Sequence, residues 1–415
     1  MTDMSEYTEK LNDKVYDMYE VSPEDDNYRA ELVNIVQSFR NYDEALDSFI
    51  QLHGFYGNIH DAEEKVAFLR ERFQTAGVPV PRGIRDWYLK HKKIDKQTAI
   101  QLCFAFELTV DEAQDFLRRI YLMRTFDYHN PKELLLYFAL LHKCKYSEVE
   151  PLLKAIEVPK DLPMPENDVL FTSVIIEDVK TCSTINEVYD YILSNPEQFG
   201  YNNATAYKYI KARWDDIRGP QGLAAKEERQ FDYVFHEDIV NDTHVSKGSR
   251  SKKESSNWDL YLQIVGLKGQ DLSKLETDRS IKPIMRNNEL IHPLVEESFP
   301  DRDGLEKVLN GKHISEERVR KLLILVVFYW YWVKKELESC SPVINPTGAD
   351  YQDFIALVNR ALGDSNYPEL YAGNPYDWLI LYASLDEVNP LSLFRRLMYE
   401  LFESKTELLS EEIDQ

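Results

Sequence analysis

The chain has 415 residues, an apolar fraction of 43% and a formal charge of −23 from 49 basic and 72 acidic residues. The apolar content excludes a globally disordered chain, and the length allows two or three domains. The acidic balance excludes a protein that binds nucleic acid over its whole surface, because affinity for phosphate depends on basic side chains. Glycine is scarce (15) and tyrosine frequent (26), which favours an all-α, multi-lobed protein.

The cysteines and the apolar runs bear on the compartment. The four cysteines lie far apart, so they predict no disulfide framework, and Cys103 in "LCFAF" is typical of a buried free thiol. The N-terminus "MTDMSEYTEKLNDK" is too acidic for a secretory signal. Residues 322–333, "LLILVVFYWYWV", are fewer than the roughly 20 that span a bilayer, so we expect a fully buried helix. These features predict a cytoplasmic protein without membrane contact.

A pair of helices is predicted between residues 61 and 89. "DAEEKVAFLRERFQTAG" places Val66, Leu69 and Phe73 on one face, and Gly77 suits the following turn. "PRGIRDWYLK" predicts a short helix that has Pro81 at its first position and continues through residues 82–89, with Ile84 and Trp87 facing inward.

Two more helices are predicted to close this segment. Asp95 suits the N-cap of "KQTAIQLCFAFEL", and "VDEAQDFLRRIYLM" follows it. The order of helix, Gly-containing turn, helix and two packing helices indicates a helix-turn-helix unit over residues 61–122.

This segment resembles the phage-repressor-like (lambda-repressor-like) helix-turn-helix family. The resemblance rests on Trp87, on the basic loop at residues 90–93, on "AIQLCFAFEL" and on "TVDEAQDFL", and it covers roughly 60 residues. The helix before the turn is longer than is usual in the family, and "NYDEALDSFIQLHGFYGNIH", where its first helix belongs, is acidic. The rest of the chain resembles uncharacterised proteins of Gram-positive mobile elements.

The resemblance implies that residues 82–89 form a recognition helix in the major groove. Arg82 and Arg85 would then read guanine edges, and Lys90, Lys92 and Lys93 would contact phosphates. These five basic residues oppose one acid, Asp86, a local charge of +4. The alternative is that the same helices only pack, with solvated charges on their outer face.

Further along the chain, Asn-Pro pairs indicate helix starts. They lie at Asn130, Asn195, Asn374 and Asn389, and an apolar-rich run follows three of them. "DVLFTSVIIEDV" at 168–179 and "FDYVFHEDIV" at 231–240 fit a strand or a helix, and neither is followed by a hairpin signature.

A serine-rich linker, "THVSKGSRSKKESS", occupies residues 243–256. It is interpreted as a surface loop or as a basic arm, with Lys247, Arg250, Lys252 and Lys253, that orders on an acidic partner.

A second segment aligns with the helix-turn-helix at an offset of 220 residues. Arg302 aligns with Arg82, Leu309 aligns with Leu89, and Ser315 aligns with the predicted N-cap Asp95. Chance and duplication both account for this alignment. The second segment lacks the tryptophan, so it is expected to pack or to bind protein.

No enzyme motif is present, so we predict no enzyme, no cofactor and no metal. His142 and Cys144, two residues apart, would point to different faces of a helix. "HEDIVNDTH", residues 236–244, is interpreted as a solvated loop because one cluster does not show converging ligands.

The predicted domains are 1–155, with the helix-turn-helix at 61–122, then a helical region 156–242, a linker 243–257 and a helical domain 258–415. We expect a DNA-binding regulator of transcription, associated with a mobile element or phage–host conflict. The alternative is a helical protein-interaction component, such as a subunit of an antiviral defence system, an inhibitor or an adaptor, whose acidic surface binds a protein and not DNA. A protein partner or a homodimer is expected in either case.

Overall fold

The computed structural model describes residues 42–90, 94–157, 172–200, 203–231, 256–268, 302–312 and 314–398, with a few positions between 13 and 39. Every regular element in these ranges is helical, which confirms the predicted all-α class. Two compact units result.

The first unit comprises the described residues of Arg40–Ala204 and of Asn366–Pro368. Its helices are α1 (Tyr42–Leu52), α2 (Ala62–Thr75), α3 (Ile84–Leu89), α4 (Lys96–Ala105), α5 (Val110–Arg119), α6 (Pro131–Leu141), α7 (Tyr146–Ala155), α8 (Thr172–Thr181) and α9 (Ile185–Ser194). A single core joins them, and it includes the fully buried Leu69, Phe73 and Phe138. Cys103 is also fully buried, which confirms its prediction, and burial raises the pKa of its thiol.

Three residues distant in sequence complete the first unit. The Tyr367 hydroxyl donates to Asn203 Oδ1 at 2.6 Å, and the Asn366 amide donates to the carbonyl of Phe126. Arg124 donates to Asn203 Oδ1 at 3.0 Å, and two further bonds join its guanidinium to Asp127. The buried guanidinium therefore has partners from separate parts of the chain.

The second unit contains the described residues of Ser5–Phe39, Thr205–Ser365 and Glu369–Gln415. Its helices are α10 (Ala204–Ile217, from Thr205 onward), α11 (Leu223–Phe231), α12 (Asn257–Ile264), α13 (Arg302–Leu309), α14 (Glu316–Ser339), α15 (Gly348–Asp364), α16 (Pro375–Ser384) and α17 (residues 390–398). The long helix α14 packs against α11 and α15.

The apolar run 322–333 lies within α14. Its residues are buried except Trp330 and Tyr331, which are half-buried on one side, so the prediction of a buried helix is confirmed for most of the run. No helix of the described ranges has the length and apolar character that crossing a bilayer requires.

Helix caps account for several element boundaries. Asn130 and Asn374 accept hydrogen bonds from the second and third amides of α6 and α16, and Asn389 accepts from Leu391 N and Ser392 N, as predicted. At Asn195 only a three-residue 3₁₀ helix, Pro196–Gln198, follows, and the asparagine side chain accepts no capping hydrogen bond from it. Its amide instead donates to Tyr191 O at 2.8 Å, at the end of α9.

The two segments whose sequences fit either a strand or a helix, residues 168–179 and 231–240, lie partly within the described ranges. Residues 172–179 are helical, in α8, and 168–171 lie outside those ranges. Of residues 231–240 the structure describes only Phe231, the last residue of α11.

The same succession of helices occurs in both units. The short helices α3 and α13 end at Leu89 and Leu309, and the next helices begin at Lys96 and Glu316, so both boundaries keep the 220-residue offset. Helices α5 and α15 both begin with a threonine capping box, at Thr109 and Thr347. Helices α6 and α7 start 244 residues before α16 and α17.

Matching hydrogen bonds strengthen this correspondence. Asp127 N donates to Glu133 at 2.7 Å in the first unit, and Tyr371 N donates to Asp377 at 3.0 Å in the second, each pair at the start of the Asn-Pro helix. In both units the first turn of the preceding helix, α2 or α12, contacts the short helix. We refer to α2–α7 as the first repeat and to α12–α17 as the second repeat.

Candidate nucleic-acid interface

Helix α3 is held by its inner face. Ile84, Trp87 and Tyr88 are buried, and α3 packs against α2, whose Val66, Leu69 and Phe73 are also buried, as predicted. The turn before it uses Gly77 at a φ of 66°, a conformation that glycine adopts without a steric penalty.

A buried polar group supports the same packing. The Lys65 ammonium lies 4.1 Å from the centre of the Tyr88 ring and 2.7 Å from an oxygen of Asp47. Burial raises the pKa of the Asp47 carboxyl against the opposing effect of Lys65, and burial likewise raises the pKa of Tyr88. The ring contact joins α2 to α3 and limits the rotation of α3.

The outer face of α3 carries the predicted basic residues. Arg82, Arg85 and Lys90 are exposed. The helix begins at Ile84, after the predicted Pro81 and Arg82, because Gly83 occupies the N-cap with a non-helical backbone. Arg82 therefore precedes the helix and Lys90 ends it as the C-cap. Lys92 and Lys93 lie outside the described residues, as do Lys247, Arg250, Lys252 and Lys253.

Two of the three described cations are paired within the chain. Arg85 lies 2.6 Å from Glu63, and Lys90 lies 3.2 Å from Asp86. The side chains of Arg85 and Glu63 are 60% and 61% exposed, so water screens the pair and its net stabilisation is about 0–1 kcal/mol. Arg82 makes no ion pair with the described residues.

The acidic start of α2 adjoins this face. The Asp61 side chain accepts from the amides of Glu63 and Glu64, and Glu64 accepts from Asn58 N at 2.7 Å. Asp61 therefore caps α2, and Glu64 accepts from a loop amide. Glu63 is the carboxylate of this turn that pairs with α3.

The described residues hold no group of three His, Cys, Asp or Glu side chains able to bind a metal. His142 is the C-cap of α6, where it stacks on Phe138, and Cys144 lies beyond the helix end. Residues 236–244 lie outside the described ranges.

Sequence reasoning missed a cleft of about 290 Å³ in the first unit. Its floor consists of Ile100, Leu136 and Leu153, and its polar rim includes Gln97, Gln101, Lys132, Glu150 and Lys154. Gln101 Nε2 donates to the Tyr146 hydroxyl at 2.9 Å. The lining comes from α4, α6 and α7 and from Pro79 and Asn130 outside them, so no local pattern indicated it.

A buried acid cluster in the second unit was also missed. Glu227 accepts from Tyr329 at 2.6 Å and from Arg395 at 2.7 Å. Asn389 donates to Glu336 at 2.8 Å, and Glu336 is buried within the electrostatic influence of Glu227. Burial, followed by the charge of Glu227, raises the pKa of Glu336 to about 7.

Comparison with protein-family models, curated proteins and solved structures finds no match to this chain. The resemblance to repressor-like proteins therefore stays a prediction.

Proposed function

We propose that the first unit binds duplex DNA through the exposed face of α3 and that the protein is a regulator of transcription, associated with a mobile element or phage–host conflict. The observation that carries this proposal is the placement of Arg82, Arg85 and Lys90. They remain exposed at a helix whose opposite face is fixed by Ile84, Trp87 and Tyr88.

The packing of α3 is relevant to recognition. A side chain that reads a base edge must be held in register by a rigid element, and α3 is anchored by buried aromatic residues. Two further lysines, Lys92 and Lys93, follow in the sequence, and they add positive charge for contacts with phosphates.

Binding would require Arg85 to leave Glu63. This exchange costs little, because the ion pair is exposed. A guanidinium that pairs bidentately with guanine contributes about 1–3 kcal/mol of discrimination, which exceeds that cost.

A second candidate is a protein-interaction component, such as a defence-system subunit, an inhibitor or an adaptor. It is favoured by the carboxylate partners of Arg85 and Lys90 and by Leu89 on the same helix, which is 55% exposed. In this case the mixed charged and apolar face of α3 would contact a protein.

Selection from a random duplex pool on the immobilised full chain tests the first candidate. We expect an enriched duplex whose affinity falls steeply as salt is raised. Arg85→Ala should weaken binding about 5- to 150-fold, the equivalent of about 1–3 kcal/mol.

The matched control is Arg119→Ala, since Arg119 is also exposed and lies 3.9 Å from its own helix partner Asp115. It should change affinity less than 2-fold. If no duplex is enriched and Arg85→Ala releases a co-purifying protein, the second candidate replaces the first.

A further inference from the structure

The cleft of the first repeat can be compared with the corresponding positions of the second repeat. Through the 220-residue offset, Ile100 and Gln101 of α4 correspond to Arg320 and Lys321 of α14. Through the 244-residue offset, Lys132 of α6 corresponds to Tyr376 of α16, and Glu150 of α7 to Phe394 of α17. In the first repeat these positions line the cleft.

In the second repeat the same positions are filled. Tyr376 is 3% exposed, and its hydroxyl donates to the carbonyl of Lys321 at 3.0 Å, so its ring lies across the seam between α16 and α14. Phe394 is 1% exposed, and the guanidinium of Arg320 is buried against Asp377. The chain therefore covers the seam between α16 and α14 with the phenol of Tyr376, and the buried Phe394 packs 5.1 Å from Phe328 of α14.

The first repeat leaves the seam open. Lys132 stands where Tyr376 would be, and Glu150 stands where Phe394 would be. Glu133 corresponds to Asp377, and its carboxylate also has a cationic partner, because Lys96 lies 2.9 Å from it. The first repeat therefore has an open cleft with an apolar floor. Its volume of about 290 Å³ lies near the lower end of the range for ligand pockets and suits one large side chain.

We propose that this cleft binds a tyrosine side chain within an acidic segment of a partner protein. The ring would lie on Ile100 and Leu136, and its hydroxyl would reach the α4 backbone as Tyr376 reaches that of α14. Aromatic side chains inserted into pockets are frequent anchors of protein interfaces.

Two lysines at the rim, Lys132 and Lys154, can pair with acidic residues that flank the tyrosine of the occupant, in competition with Glu150 of the same rim. Lys132 makes no ion pair with the described residues, and Lys154 pairs with Glu150 at 2.8 Å with its side chain 73% exposed. Acidic residues on either side of the tyrosine would pair with both lysines. The rim does not include the basic residues of α3, so this site is independent of the proposed DNA contact.

A titration of the full chain with capped peptides tests the proposal, with the methyl NMR signals of Ile100, Leu136 and Leu153 as the readout. The probe is Glu-Glu-Tyr-Glu-Glu, compared with the same peptide carrying alanine in place of tyrosine and with Lys-Lys-Tyr-Lys-Lys. We expect the first peptide to bind at least 10-fold more tightly than either of the others.

Two variants complete the test. Lys132→Tyr with Glu150→Phe transfers the closing residues of the second repeat and should abolish these signal shifts while the helical content is retained. Lys132→Glu with Lys154→Glu changes only the rim and should reverse the preference between the acidic and basic peptides. Equal binding of the tyrosine and alanine peptides, or no effect of the rim variant, would overturn the proposal.

Discussion

The guanidinium of Arg85 lies 2.6 Å from the carboxylate of Glu63, so the first turn of α2 neutralises the central basic residue of α3. This pair opposes any approach of phosphate to Arg85, although its exposure keeps the opposition small.

Glu63→Gln should therefore increase the affinity for a selected duplex, by about 2- to 5-fold, because it removes a competing anion near the phosphates. Fluorescence anisotropy at several salt concentrations measures this change. Glu71→Gln removes an exposed acid from the middle of the same helix and serves as the control. Unchanged or lower affinity for Glu63→Gln would show that Arg85 does not contact DNA.

Trp87→Ala should lower the free energy of unfolding by about 3–5 kcal/mol, because it empties a buried aromatic site between α3 and its neighbours. Leu89→Ala, two residues later on the exposed face, should change it by less than about 0.5 kcal/mol. Urea denaturation followed by circular dichroism compares the two. Similar losses in both variants would mean that Trp87 does not anchor α3.

Glu336→Gln should stabilise the protein at alkaline pH and leave it nearly unchanged at acidic pH. The pKa of Glu336 is raised to about 7 in the folded state from an ordinary value of 4.5, so folding favours the protonated carboxyl. The resulting stability is complete below about pH 4.5 and is lost as the pH rises through 7. At pH 8 the neutral glutamine avoids a cost on the order of 3 kcal/mol.

Melting temperatures between pH 5 and pH 8.5 measure this effect. The exposed Glu338, on the same helix, provides the control Glu338→Gln, which should show no such pH-dependent difference. A constant difference between Glu336→Gln and the natural chain across this pH range would contradict the prediction.

Asp377→Ala should be more destabilising than Glu133→Ala, its counterpart in the first repeat. Asp377 accepts hydrogen bonds of 2.6 and 2.7 Å from Arg320 with both side chains buried, so its loss removes the carboxylate that balances the charge of a buried guanidinium, at about 3–5 kcal/mol. The side chains of Lys96 and Glu133 are 15% and 12% exposed, so Lys96 reaches water more readily. Chemical denaturation of both variants ranks them, and the reverse order would refute the prediction.

The sequence predicted elements well where the information was local. The caps at Asn130 and Asn374 follow from an Asn-Pro pair with an acid three residues after the asparagine, and the structure has both. Asn195 shows the limit of this pattern, because the same residue that begins one turn can terminate the helix before it.

The candidate site was predictable only in part. The inward direction of Ile84 and Trp87 follows from their spacing, and so does the exposure of Arg85. The pairing of Arg85 with Glu63 does not, because it joins residues 22 positions apart through the packing of α2 on α3. The cleft and the acid cluster likewise require tertiary structure, since each is assembled from several helices.

The segment Asn366–Pro368 belongs to the first unit, although the residues on either side of it belong to the second. This arrangement affects any attempt to produce the two units as separate polypeptides. A polypeptide that ended at residue 204 would keep Asn203 and Arg124 but would lose the hydroxyl of Tyr367 that donates to Asn203. The ring of Tyr367, 5.5 Å from the Arg124 guanidinium, would be lost as well. Cleavage of the chain at a single peptide bond after residue 204 would therefore remove Asn366–Pro368 from the first unit. The stability of the first unit should be studied in the intact chain, or with this tripeptide segment joined back through a linker.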